Sequence, residues 1–220
     1  MIPLNAPSLG ELERRYVNEA LASGWVTTGK YCQRLETEFA AWVGRRHAVA
    51  CSSGTSALWL ALMALKLPAG QRVVTSSYTC DAVANASIHA TGHPPIAVDI
   101  EDETWGAHGG QIEAALAGRL TWHIGAVILP HTYGTIARDT AKIEAVCQRL
   151  GVPLIEDASE AHGARAEGRM AGSFGTVSIS SFRGEKTLSG GQLGIVVTDD
   201  AELARRVHQY AHAGLPVDRL

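Results

Sequence analysis

The stretch Cys51–Leu65, CSSGTSALWLALMAL, leaves a β-rich run, His47–Cys51 (HAVAC), and enters a strongly apolar helical pattern through a few small polar residues. A strand that feeds a helix through so short a turn is the first half of a β-α-β unit. The same order recurs along the chain. Further strands are expected at 72–75 (RVVT), 96–100 (IAVDI), 125–129 (GAVIL), 153–156 (PLIE), 177–181 (VSISS) and 194–198 (GIVVT). Helical patterns lie near 33–43, 54–66, 79–91, 110–117, 137–150 and 201–212. This alternation predicts an α/β fold: a mainly parallel seven-stranded sheet between helices, joined by right-handed crossovers.

Composition limits what such a sheet can serve. With 220 residues, 46% of them hydrophobic, the chain can bury one large core, and residues 1–220 read as a single domain. A net charge of −3 offers no basic field, so neither nucleic acid nor an anionic membrane is expected as a partner. No apolar run reaches the ~18 residues of a membrane span, and the opening MIPLNAPSLGELERR lacks the features of a leader. A cytoplasmic location is the expectation. Cys32, Cys51, Cys80 and Cys147 form no CxxC pair, which predicts reduced thiols and no zinc site. Neither GxGxxG nor GxxxxGK[ST] occurs, and in GEKT a glutamate separates glycine from lysine.

Parallel sheets bind ligands at the carboxyl ends of their strands. Three segments stand out there. Gly54, Thr55 and Ser56 open the apolar helix, where free N–H groups and the helix dipole favour an anion; a simple Ser53 or Thr55 cap is the competing reading. Glu156-Asp157 ends the apolar run PLIED; a carboxylate there could hold a cationic ring nitrogen, bind a metal, act as a base or cap the next helix. Ser180–Gly191, SSFRGEKTLSGG, carries one lysine in a glycine-rich turn. An anion nest, a carboxylate and a lysine together match pyridoxal 5'-phosphate, with its phosphate, its ring nitrogen that must stay protonated and its aldehyde that joins a lysine. His131 and Tyr133 of HTYG fit either the substrate side or a packed turn. His162 fits either cofactor orientation or local packing, and Trp25, Trp42, Trp59, Trp105 and Trp122 read as packing residues.

The order SSGTSAL, SSYTCDAVANAS, AVDIEDETW, HTYG, IEDASEAHGA, GSFG and SFRGEKTLSGGQLGIVVTDD resembles the large domain of the DegT/DnrJ/EryC1/StrS aminotransferase family over nearly the whole chain. The resemblance implies fold type I and an enzyme dependent on pyridoxal 5'-phosphate. Such an enzyme moves an amino group from an amino acid, glutamate or glutamine, to a nucleotide-linked keto sugar or a keto-cyclitol; KTLSGG looks most like the cyclitol members. By the same resemblance Lys186 matches the lysine that holds the aldehyde, Asp157 the partner of the ring nitrogen, Ser181 a phosphate-binding hydroxyl, and Gly54, Thr55 and Ser56 the phosphate loop. A lysine at 186 also separates the chain from the related sugar dehydratases, which carry histidine there.

Three positions differ from the family pattern. Cys80 stands where an aromatic residue usually stacks on the ring, and Glu160 where a glutamine meets the cofactor hydroxyl. Leu193-Gly194 replaces a glycine pair, which predicts the loss of a glycine-only backbone conformation. The family further implies a homodimer with active sites between subunits, and a small C-terminal domain beyond GLPVDRL that is expected to be absent here. A catalytically impaired remnant, acting as a cofactor- or partner-binding module, is the alternative expectation.

Overall fold

The structure is a computed structural model and describes residues 6–119 and 123–212, so Trp122 and the GLPVDRL segment lie outside the described residues. In chain order the elements are α1 (Glu11–Ala22), α2 (Lys30–Val43), β1 (His47–Cys51), α3 (Gly54–Leu65), β2 (Arg72–Ser76), α4 (Asp81–Thr91), β3 (Ile96–Val98) and α5 (Gly109–Ala114). There follow β4 (Ile124–Pro130), α6 (Thr140–Leu150), β5 (Leu154–Asp157), β6 (Arg165–Ala166), β7 (Arg169–Met170), β8 (Val177–Ser181), β9 (Gly194–Thr198) and α7 (Ala201–Ala211).

Seven strands form one sheet in the order β1-β9-β8-β5-β4-β2-β3, with β6 and β7 a separate ribbon. The neighbours from β8 to β3 pair in parallel, whereas β9 is antiparallel to both β8 and β1. The expected mainly parallel sheet is present, and β9 is its one reversed strand. Reversal has a consequence for the site. The 182–193 connection returns to the edge it left, so the lysine loop has both ends at the carboxyl ends of the parallel strands.

Side-chain alternation along the strands divides the core into two layers. Val73, Ala126, Ile128, Ile155, Val177, Ile179 and Val196 pack under α3, α4 and α7, while Val74, Val127, Leu129 and Leu154 pack under α5 and α6. Helix α3 is the central one. Its Ala57, Ala61 and Ala64 are fully buried, and their small size lets it lie close to the sheet, while Leu58, Leu60 and Leu62 fill the gaps on either side. Each such leucine contributes about 2 kcal/mol by leaving water. On the other side of β9, Phe39 and Val43 of α2 pack with Phe182, Ile195 and Val197.

Two departures from expectation have local causes. β3 stops at Val98 because the chain turns around the Glu101 carboxylate, which accepts N–H groups from Glu103, Thr104 and Gly106. Leu193 is not among the residues with positive φ, so it needs no glycine conformation, and its side chain packs against the Phe39 cluster. What position 194 requires is space: a Cβ on Gly194 would lie 2.1 Å from the Ser53 carbonyl oxygen and 2.8 Å from the Gly54 nitrogen. Gly194→Ala must therefore push β9 away from the start of α3. We expect it to destabilise the protein by about 1–3 kcal/mol, read as a lower urea midpoint.

Candidate active site

A cleft of about 450 Å³ opens at the carboxyl ends of the parallel strands. Seven of the eight residues selected from sequence line it: Gly54, Thr55, Cys80, Asp157, Glu160, Ser181 and Lys186. Ser56 is the exception. Its hydroxyl lies 3.0 Å from those of Ser52 and Ser53, and its N–H donates to the Ser53 Oγ at 3.1 Å, so it completes the cap of α3. The capping reading of this segment is thus present, and Gly54 and Thr55, the first residues of the helix, also line the cleft.

The anion nest depends on a close approach. A Cβ on Gly54 would sit 2.6 Å from the Ser181 Cβ and 3.0 Å from its Oγ. Only glycine lets the start of α3 meet the end of β8, and the result sets the Ser181 hydroxyl beside the helix N-terminus. That pairing of hydroxyl and helix end suits a phosphate.

Across the cleft, Lys186 is 17% exposed and its Nζ donates to the Glu160 Oε1 at 2.8 Å. The loop that carries it is closed by the Phe182 N–H on the Leu193 carbonyl and by the Gly190 N–H on the Phe182 carbonyl, both at 2.8 Å. Glu160 also accepts the Tyr133 N–H through Oε2 at 3.1 Å. Burial raises the Glu160 carboxyl, but the bonds from Lys186 and Tyr133 outweigh that and hold it below the usual carboxylate range. A negative carboxylate therefore lies on the lysine, where the family pattern has a neutral amide.

Asp157 is 9% exposed, and its Oδ1 accepts the Ser159 N–H at 3.0 Å. Burial pushes its carboxyl up, against weaker downward pulls from Ser159 and from the Lys186 charge. A cation set against it would restore the charged form. This is the environment that a protonated ring nitrogen would complete, and with the Gly54–Ser181 nest it makes the residues present a fit for pyridoxal phosphate. Among the described residues no group of three His, Cys, Asp or Glu side chains is placed to hold a metal.

Glu156, adjacent in β5, points to the opposite face. Its oxygens accept the Gly172 and Phe174 N–H groups at 2.6 and 2.8 Å, and Oε1 lies 3.1 Å from the His131 Nε2. Since the His131 Nδ1 accepts the Ala137 N–H at 3.2 Å, Nε2 is the ring nitrogen that carries a proton. His131 is thus a buried strut, though its atoms reach the cleft wall. Cys80 caps α4, its Sγ accepting the Ala82 N–H at 3.4 Å. Burial, with Asp81 and Asp157 nearby, raises the thiol, so Cys80 presents a neutral surface to the cleft.

Tyr133, which the sequence left between the substrate side and a packed turn, lines the cleft at its mouth. Tyr133 and Gly134, with φ of 50° and 82°, form a tight turn closed by the Thr135 N–H on the Thr132 carbonyl at 3.1 Å. Two positive φ values in a row mark a type I′ turn, in which a tyrosine at the first central position costs about 1 kcal/mol relative to glycine. The Tyr133 hydroxyl lies 3.3 Å from that of Tyr78, and Trp105 meets the Tyr78 ring edge-on at 5.8 Å. Trp105 is exposed rather than packed in the core, as are Trp25, Trp42 and Trp59. The only advance signal was aromatic residues placed just after strands.

His162 packs on Phe182, ring centres 5.2 Å apart, and neither of its buried ring nitrogens has a hydrogen-bond partner among the described residues. Burial, with the Lys186 charge, lowers it from 6.5 to about 4. The folded form thus resists protonation while the unfolded chain accepts it near 6.5, so stability present above that pH declines as pH falls toward about 4. NMR titration of the unloaded protein should place the His162 midpoint near 4, and His162→Phe should flatten the acid side of the stability profile; an unshifted midpoint would contradict this.

The DegT/DnrJ/EryC1/StrS aminotransferase family model matches residues 7–219. Among solved structures, the aminotransferase TlmJ from Streptoalloteichus hindustanus is 33% identical with a TM-score of 0.85, over 95% of this chain and 56% of its own. DesI, solved in the presence of its TDP-sugar product, is 29% identical with a TM-score of 0.85, over 99% and 55%. NtdA from Bacillus subtilis, solved with bound cofactor PMP, is 30% identical with a TM-score of 0.79, over 90% and 44%. The chain spans about half the length of these proteins. With a family match over nearly all of its residues, a sheet that superposes on these structures, and a lysine, an aspartate and a helix nest around one cleft, the chain belongs to the DegT/DnrJ/EryC1/StrS aminotransferase family.

Proposed function

We propose that the chain is the cofactor-binding large domain of a pyridoxal 5'-phosphate-dependent aminotransferase. Its amino donor would be glutamate or glutamine, and its acceptor a keto sugar, nucleotide-linked or free, or a keto-cyclitol. The observation that carries this reading is one cleft lined by a lysine, a buried aspartate whose carboxyl is raised, and a helix start fitted to a serine hydroxyl. The PMP bound in NtdA and the TDP-sugar product of DesI support it.

When bound, the coenzyme supplies an aldehyde for an amine and a ring that withdraws electrons. The Gly54 and Thr55 N–H groups with the Ser181 hydroxyl would hold its phosphate. Asp157 would keep the ring nitrogen protonated, and that positive charge would favour the ionised form of Asp157. Lys186 would provide the amine for the covalent link, and its Nζ is the cleft group that could take up and return a proton during transfer. Glu160 positions that Nζ at 2.8 Å and would bring a negative charge to the coenzyme where the family pattern has an amide. Cys80 would offer the ring no aromatic stacking.

A homodimer in the cytoplasm completes the proposal. Helix α1 buries none of its residues, and Leu12, Val17 and Leu21 are exposed on it, as an interface helix requires. Among the described residues no helix is long and apolar enough to cross a membrane.

Two outcomes test the reading. Protein supplied with pyridoxal phosphate should develop a visible absorption band that Lys186→Ala abolishes, and a wild type that stays colourless removes the claim. Asp157→Ala should retain bound coenzyme yet lose amino transfer by about 10²-fold or more, since the ring nitrogen would no longer be held protonated. Rapid bleaching of the band by glutamate would exclude the impaired-module alternative.

A further inference from the structure

Two aromatic side chains, Tyr78 and Tyr133, line the cleft, and a third, Trp105, meets the Tyr78 ring edge-on without lining the cleft itself. Tyr133 is 73% exposed on a left-handed backbone, so glycine there would relieve strain and forfeit only the exposed contact with Tyr78. Trp105 repeats the pattern, 51% exposed with φ of 58°, in the loop wound around the Glu101 carboxylate. Tyr78, 38% exposed, stands between them, its ring centre 6.3 Å from that of Tyr133. Strained backbone that persists without a packing reward collects at functional sites.

The rim is tied to the reactive amine by one side chain. Glu160 accepts the Tyr133 N–H on one oxygen and the Lys186 Nζ on the other, which fixes the aromatic surface relative to the lysine. Charge then narrows the ligand. Among the described residues the cationic side chains lining the cleft are Lys186, paired with Glu160, and Arg183, whose Nε lies 3.3 Å from the Glu185 carboxylate. Asp157, Glu160 and Glu185 face the same space. A diphosphate would meet an acidic lining there, whereas a neutral ring loses nothing.

We propose that Tyr133 and Tyr78, the latter backed by Trp105, form the recognition platform for a neutral polyhydroxylated ring, a keto-cyclitol or an unlinked keto sugar, whose C–H face lies on the two tyrosines. The proposal rests on the reading of Lys186 as the amine that such a ring must reach, and it assigns substrate selection to the rim. Tyr133 acts on the ring directly, and Glu160 acts through Tyr133.

The test is a ligand-observed NMR titration of the full chain with two unreactive probes, myo-inositol and the nucleotide dTDP. Inositol should bind, and Tyr133→Gly should weaken it by about fivefold, the worth of one aromatic contact, while the thermal midpoint stays or rises. Tyr133→Phe should restore binding. Absence of inositol binding, or a Tyr133→Gly variant that binds as wild type does, overturns the platform. Tyr133-dependent binding of dTDP, with or without inositol, overturns the neutral class, because a nucleobase would then be what stacks. Lys186→Ala should lose the visible band yet keep inositol binding, so a failed coenzyme reading and a failed platform give different results.

Discussion

The site depends on how closely three backbones approach one another. Gly54 lets the first turn of α3 touch the end of β8 at Ser181, and Gly194 lets β9 pass under the Ser53 carbonyl. With a methyl group at either position the helix would have to lift from the sheet, and its N–H groups would leave the Ser181 hydroxyl. The buried alanines of α3 serve the same contact from the other side, since only a helix with a smooth face can lie so near the strands. Packing of the core and placement of the α3 N-terminus beside the Ser181 hydroxyl are therefore one requirement.

Charge in the cleft is arranged by which face of β5 each carboxylate occupies. Glu156 and Asp157 are neighbours in sequence and serve opposite ends of the structure. The first is locked by two N–H groups and His131 behind the sheet edge, and the second is left with little more than Ser159. An under-satisfied buried carboxyl is costly unless a cation completes it. Glu160, three residues on, has the opposite character, because Lys186 and the Tyr133 N–H keep it ionised. The cleft thus holds one carboxyl that awaits a partner and one that has found it.

Much of this was legible from residue order. The β-rich runs at 47–51, 177–181 and 194–198 are strands with those bounds, and the small polar residues after the strands line the cleft as the carboxyl-end rule requires. Ser56 was misplaced by one turn of reasoning: a residue at a helix start can cap or bind, and its hydroxyl is taken by Ser52 and Ser53. Helix α1 escaped notice because it has no buried side to produce an apolar stripe within the chain. Leu193 looked like an obstacle only while a glycine pair was read as a demand for positive φ at both positions.

The sequence alone determined the alternation of strands and helices, the helix start that can take an anion, and the single lysine in a glycine-rich turn. These are local properties, set by side-chain period and by the conformations that small residues allow. Tertiary structure alone decided the reversed direction of β9, which brings the lysine loop back to the site edge. It also decided the pairing of Glu160 with both Lys186 and Tyr133, and the convergence of Tyr78, Trp105 and Tyr133 at the mouth. Contacts between residues 26 or more positions apart leave no mark in local pattern, because they exist only once the sheet has set the strand ends side by side.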